Sequence, residues 1–228
     1  MIGVVTAVCI KLLVGLAIGF LNGLLVSIGI NSFIATLATM IAVKGLALTI
    51  TAGEPVQWFD EGLFEFGNGN VGGISYLVIV MIGAVVLTQF VLSKTRFGRN
   101  MYATGANYEV ARYANIKVRF YKLMIFAVLG VAAAFAGIML ASRMGAGLGI
   151  YGEDLSMYVV AAVVVGGTSL SGGKGSAIQT LLGLLFMGIL FNGLNMLSVS
   201  TYWQLFIRGI IVVIVIVIDR MMQMIKER

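Results

Sequence analysis

The sequence predicts an all-α fold, a polytopic transmembrane helical bundle, and three observations predict it. Of the 228 residues, 60% are hydrophobic and 11% charged, which leaves too little polar surface to coat a water-soluble globule. The apolar residues come in runs long enough to cross about 30 Å of hydrocarbon as helices. Residues 93–122 collect seven of the fifteen basic side chains (Lys94, Arg96, Arg99, Arg112, Lys117, Arg119 and Lys122) against one acid, Glu109. Such an excess in a short connection marks the cytoplasmic side of a membrane.

Seven candidate spans follow in order: residues 4–28, 33–52, 74–92, 123–141, 157–170, 177–197 and 202–218. The first has no basic stretch before it and no small-residue cleavage site after it, so it reads as a span and not a signal peptide. Its Gly15, Gly19 and Gly23 recur every four residues, as do small residues where helix backbones meet closely in lipid. The sixth carries Gly183, Gly188 and Gly193. The fifth is fourteen residues, about 21 Å as a helix, and is either a full crossing or a re-entrant or broken helix near 157–175.

Charge chooses between these two. If the fifth segment crosses, then loop 93–122, turn 171–175 with Lys174, and the tail with Arg220, Lys226 and Arg228 share the cytoplasmic side. The acidic connections, 53–73 with Glu54, Asp60, Glu61 and Glu65, and 142–156 with Glu153 and Asp154, then fall outside. If it only dips, the basic tail lies outside, against the positive-inside rule. The crossing is therefore expected, with a cytoplasmic C-terminus in the cell membrane. The same parity places Met1 outside, an odd starting point that suggests preceding spans.

The composition also excludes chemistry. A single cysteine, Cys9, permits no internal disulfide, and the absence of histidine removes the commonest general base and metal ligand. No catalytic residue, metal site or cofactor is expected. Gly172-Gly173-Lys174-Gly175-Ser176 resembles the end of a phosphate-binding loop, but Thr168 and Gly175 stand where that loop needs Gly and Ser or Thr. Leu170-Ser171-Gly172-Gly173 echoes a signature of soluble cassette ATPases, without the nucleotide loops that go with it. The basic residues set topology and do not form a nucleic-acid surface.

Polar residues inside spans mark pathways or interhelical hydrogen bonds. Asn192 and Asn195, three apart in the sixth span, Thr36 and Thr39, three apart in the second, and Asn22 in the first are the candidates for a route taken by a hydroxyl-rich solute. The alternative for each is a helix-to-helix bond. Lys44, mid-span, is expected to pair with a carbonyl or another subunit. Arg208, after Tyr202 and Trp203, is expected to snorkel to the outer boundary. In the basic loop, Asn107 is placed to cap a short helix, Glu109 suits its positive end, and Ala111 and Ala114 would leave a slim face for a partner's groove. A solvated loop on anionic headgroups is the other reading.

Several stretches together resemble one family. They are Gly23-Leu24-Leu25-Val26 with Ser32-Phe33-Ile34-Ala35-Thr36-Leu37, then Arg96-Phe97-Gly98-Arg99 with Gly105, Asn107 and Ala111, then Ala136-Gly137-Ile138. The most specific is Gly166-Gly167-Thr168-Ser169-Leu170-Ser171-Gly172-Gly173-Lys174-Gly175, followed by Asn192-Gly193-Leu194 and Tyr202-Trp203-Gln204. The chain resembles the permease subunits of ATP-binding cassette importers of the ribose and simple-sugar type, related to the branched-chain amino acid permeases. The resemblance implies one transmembrane permease domain over residues 1–228, with an external loop 53–73 and a coupling loop 93–122. It implies that the coupling helix between Gly105 and Ile116, with Arg99, Asn107, Glu109, Ala111 and Arg112, sits on an ATPase subunit. Asn115 stands where family members commonly have Gly, and Asn tolerates the left-handed turn this needs. Family members usually have about ten spans, and this chain begins where their third or fourth would.

The implied partners are a second permease subunit, two ATPase subunits, an extracytoplasmic solute-binding protein and a small sugar, all on a lipid bilayer. The acidic loop, with Trp58, Phe59, Phe64 and Phe66, is the candidate contact for the binding protein, a plain outer plug being the alternative. Two rival readings stand beside this one. An autonomous channel or ion-coupled transporter would need acids or histidines at membrane depth, and none of the nine acids lies mid-span. A truncated, non-transporting scaffold is the other.

Overall fold

The computed structural model describes residues 2–57, 61–170 and 172–226. Met1, Trp58, Phe59, Asp60, Ser171 and Arg228 lie outside the described residues, as do the side chains of Glu61, Glu153, Asp154, Asp219, Arg220 and Lys226. The chain is helical nearly throughout: α1 (Ile2–Ser27), α2 (Ser32–Thr51), α3 (Glu61–Asn68), α4 (Tyr76–Lys94), α5 (Arg96–Ala106), α6 (Tyr108–Tyr113), α7 (Val118–Met144), α8 (Glu153–Val165), α9 (Ala177–Met196) and α10 (Thr201–Lys226). Four two-residue strands accompany them: β1 (Val56–Gln57), β2 (Asn70–Val71), β3 (Ile74–Ser75) and β4 (Ala146–Gly147).

Among the described residues, five helices are long and apolar enough to cross a membrane: α1, α2, α4, α7 and α9. They coincide with five of the seven predicted spans. The other two fall on α8 and on α10, whose described apolar part is Thr201–Ile214. α8 has 13 residues, about 20 Å, and stops at Val165 instead of continuing to residue 170, because Gly166 and Gly167 open the turn that follows.

The chain forms two compact units, and the boundary at residues 83 and 84 lies within α4. The first unit holds residues 1–83 and 115–151. Its main contact is α1 on α7, and the spaced glycines cause it. A Cβ on Gly15 would lie 2.6 Å from the Gly130 carbonyl oxygen, and one on Gly130 would lie 2.8 Å from Gly19 Cα. The two backbones come this close because only small residues, the glycines and Ala134, stand at the contact.

The connection between α2 and α4 carries short strands and a helix. Gly72 and Gly73, with φ of 58° and 84°, supply the two positive dihedrals of a tight hairpin joining β2 to β3. β1 pairs antiparallel with β4, Val56 opposite Gly147. α3 packs on the end of α7, where Ser142 Oγ donates to the Leu63 carbonyl. Asn68 Nδ2 donates to the Phe64 carbonyl at 3.2 Å and to those of Ser142 and Arg143 at 3.4 Å.

The second unit holds residues 84–114 and 152–228. α8 and α9 enclose Ala161, Ala162, Met187 and Phe191, with Ile211 and Val212 of α10 against them. Ala162 leaves its carbonyl open to Gly183, so these two helices also touch through backbone. Large apolar side chains point outward along α1, α2, α4, α9 and α10, as a lipid-facing surface requires.

Candidate functional site

At the basic end of the second unit, α4 breaks into α5 and α6. Thr95 caps α5, its hydroxyl accepting from Gly98 N at 3.1 Å. Asn107 serves two helices: its N–H donates to the Ala103 carbonyl at 3.3 Å, ending α5, and its Oδ1 accepts from Val110 N at 3.1 Å, starting α6. The cap forms where the sequence predicts. Glu109 stands in the first turn of α6 and Arg112 in the last, the signs that suit the helix dipole. Asn115 takes φ 57°, the left-handed turn expected of it. Gly105 lies in the last turn of α5, so the short helix is only the six residues Tyr108–Tyr113.

One expectation needs correction. Ala111 is 2% exposed: it points into the chain's own body and cannot form a slim outward face. With residues three or four apart on one side of a helix, burying Ala111 turns out Val110 at 62% and Tyr113 at 87% exposure, with Tyr108, Glu109 and Arg112 also exposed. The outward surface is aromatic and apolar with one charge of each sign. Arg99 is likewise exposed on α5. Replacing Asn107 by Ala removes the cap and is expected to cost about 1 kcal/mol of local stability, read as faster hydrogen exchange at the Val110 amide.

The glycine-rich turn between α8 and α9 lies against this end. A Cβ on Gly105 would come within 2.8 Å of Gly173 N, and one on Gly172 within 2.9 Å of the Gly105 carbonyl oxygen. Tyr102 Oη donates to the Gly175 carbonyl at 2.6 Å. Ser176 Oγ accepts from Gln179 N at 3.2 Å and Gln89 Oε1 from Ala177 N at 3.1 Å, which pins the start of α9.

In the first unit, α1, α2, α7 and the turn after β4 surround a cavity of about 650 Å³. Its walls are mostly apolar, with Lys11, Asn22, Thr36 and Tyr151 among the lining residues. Asn22 is buried and its Oδ1 accepts from Thr39 Oγ1 at 2.8 Å. Thr36 turns its hydroxyl to the Ser32 carbonyl at 2.9 Å. Three of the predicted pathway residues thus meet, Asn22 and Thr36 on the cavity wall and Thr39 behind them. Lys11 of α1 lines the same cavity.

Asn192 and Asn195 belong to the second unit, both exposed on α9. Asn195 Oδ1 accepts from Gln204 Nε2 at 2.8 Å, and that amide also donates to the Val199 carbonyl at 2.9 Å. Gln204, 8% exposed, is the polar residue the sequence reading missed as an interhelical tie. Its signal was an amide at the start of an apolar helix. Arg208 does not follow the snorkelling expectation. Its guanidinium carbon lies 5.0 Å from the centroid of Phe191 and 5.7 Å from that of Tyr158, so it turns in towards α8 and α9 as a cation–π partner.

Long apolar helices, glycine-mediated packing and a structured basic end define a multi-pass, all-helical membrane protein. Residues 1–216 match the family described as branched-chain amino acid transport system / permease component, and the chain belongs to it. It is 44% identical to a ribose import permease of Bacillus subtilis over 202 residues, covering 87% of this chain and 63% of that protein. It is 37% identical to a D-allose transport system permease of Escherichia coli over 210 residues, 92% of this chain and 64% of that one. An L-arabinose ABC transporter permease of Azospirillum brasilense is 38% identical over 218 residues, 95% and 64%. The chain thus spans just under two thirds of the length of these relatives. No solved structure matches it.

Proposed function

We propose that this chain is the membrane-embedded permease of an ATP-driven importer for a small sugar, working by alternating access in the cell membrane. Membership of the permease family across residues 1–216 carries this reading, and relatives named for ribose, allose and arabinose support a monosaccharide as the solute. ATP is hydrolysed on a separate subunit, and an extracytoplasmic binding protein and a second permease complete the assembly.

α6 is the contact for the ATPase. Its outward Val110 and Tyr113, flanked by Glu109 and Arg112, form an aromatic-centred patch of the kind that anchors protein interfaces. The excess of basic residues over 93–122 supports a cytoplasmic position for it. The contact of Gly105 with Gly172 and Gly173 supports that orientation, because it puts Lys174 on the same side, as a crossing by the fifth segment requires. The cavity beside Asn22 and Thr36 is where the solute passes. Its mostly apolar wall suits the C–H faces of a sugar, while two or three polar groups fix orientation. Asn192 and Asn195, in the second unit, are separate candidates for contact with the solute. Phe64 and Phe66 remain the candidate contacts for the binding protein, on a segment already held to α7 by Ser142.

Purified protein in liposomes with its ATPase and binding protein tests the reading, using labelled D-ribose, D-allose and L-arabinose. Uptake of one of them that requires ATP and both partners is expected. Flux without ATP would instead identify a channel, and no flux with any partner a scaffold. Asn22→Leu should reduce uptake about tenfold, the order expected when one oriented polar contact is lost. Its thermal midpoint should barely move, because Thr39 Oγ1 retains the Ala35 and Thr36 carbonyls at 3.1 and 3.0 Å.

A further inference from the structure

We infer that the glycine-rich turn between α8 and α9 is a mechanical seat for the end of α5, carrying displacement of α6 into the α8–α9 hairpin. The inference rests on the permease reading above and assigns a role to the motif which that reading left unused.

The contact is made by backbone and the Ala106 methyl. Gly105 faces Gly173 N, Gly172 faces the Gly105 carbonyl, and a Cβ on Gly173 would come within 2.7 Å of Ala106 Cα. Gly172 and Gly173 have φ of 89° and 74°, a conformation that side chains disfavour. Flexible side chains absorb small shifts by changing rotamer; the Ala106 methyl has no rotamer to change, and the other described atoms that meet here are backbone. The end of α5 therefore cannot shift towards the turn without the turn shifting too. Tyr102 Oη on the Gly175 carbonyl makes a second tie one turn earlier on α5.

The turn also has the stiffness to pass the shift on. Ser169 N donates to the Lys174 carbonyl and Gly172 N to the Ser169 carbonyl, both at 3.2 Å, which closes the loop on itself. Gly175 is packed against Thr168, where a Cβ would come within 2.6 Å. Beyond it, α8 and α9 touch through Gly166 against Gln179 and Gly183 against Ala162. Gln89 of α4 holds the Ala177 amide. The hairpin is thus gripped by α5 through the turn and by α4 through Gln89. α6 joins α5 through Asn107, which ends one helix and begins the next. The Gly172 amide already has a partner within the turn, and the Gly173 amide faces Gly105.

The test compares sugar molecules imported per ATP hydrolysed, in liposomes carrying the permease, its ATPase and its binding protein. Tyr102→Phe removes one tie without adding bulk and should lower that ratio about threefold, the order of one hydrogen bond, at an unchanged hydrolysis rate and thermal midpoint. Gly105→Ala wedges the junction apart and should lower it about tenfold or more. If Gly105→Ala does not insert, Tyr102→Phe decides alone. A wild-type ratio in Tyr102→Phe, and in Gly105→Ala where it inserts, overturns the seat while leaving the permease reading intact. A wild-type chain with no ATP-dependent uptake overturns the permease reading itself.

Discussion

Replacing Gly19 by leucine is expected to remove folded protein from the membrane. Gly15, Gly19 and Gly23 all face α7. A Cβ on Gly19 would strike the Phe126 carbonyl and come within 3.0 Å of Gly130 Cα, while one on Gly23 would lie 2.9 Å from Leu123 Cα. The nearest obstacle is backbone at Gly19 and Gly23 and the Ala134 methyl with the Gly130 carbonyl at Gly15, and no rotamer change moves any of these. Overpacking a dense interior usually costs 1–3 kcal/mol, and wedging two helix backbones apart exceeds the upper end, about 3 kcal/mol or more. Lipid gives α1 and α7 no hydrophobic drive to reassociate once parted. Solubilised yield and the midpoint of thermal unfolding measure the effect. Gly45→Leu on α2, where nothing lies within 4 Å, is the matched control and should behave as wild type.

Tyr113→Asp should abolish productive binding of the ATPase while leaving the permease folded. Tyr113 is exposed along nearly its whole side chain, so the chain loses no internal packing. At an interface centre, truncating an aromatic anchor costs about 2 kcal/mol or more, roughly thirtyfold in affinity, and a carboxylate buried there costs more. Affinity of the ATPase for the permease in nanodiscs gives the number. Ala111→Leu makes the contrast: a buried alanine has no room to grow, so thermal stability falls before affinity does. Equal loss of affinity in both variants, at equal stability, would mean that the face of α6 has been assigned wrongly.

The parts readable from sequence were those fixed by local chemistry. Runs of apolar residues set the positions of α1, α2, α4, α7 and α9, because a helix is how a chain satisfies its own backbone in lipid. Asn107 announced its cap by side-chain type and position. The spaced glycines of α1 foretold a close helix contact, but not that α7 would be the partner. What sequence hid was direction and long-range pairing. Ala111 looked like an outward small residue, yet a six-residue helix has too few positions for periodicity to say which side is buried. Arg208 looked like an interfacial cation because Tyr202 and Trp203 precede it, and only the three-helix packing brings Phe191 and Tyr158 to its guanidinium. The packing of α3 onto α7 depends on Ser142 and Asn68, more than seventy positions apart in sequence.

Orientation is the claim on which the account depends, and cysteine accessibility measures it directly. With Cys9 replaced by serine and Tyr113 by cysteine, a membrane-impermeant maleimide added to intact cells should leave residue 113 unlabelled. The same reagent should label it in inverted vesicles. Labelling from the outside of intact cells would place α6 and the basic end of the chain away from any cytoplasmic ATPase and contradict the importer account.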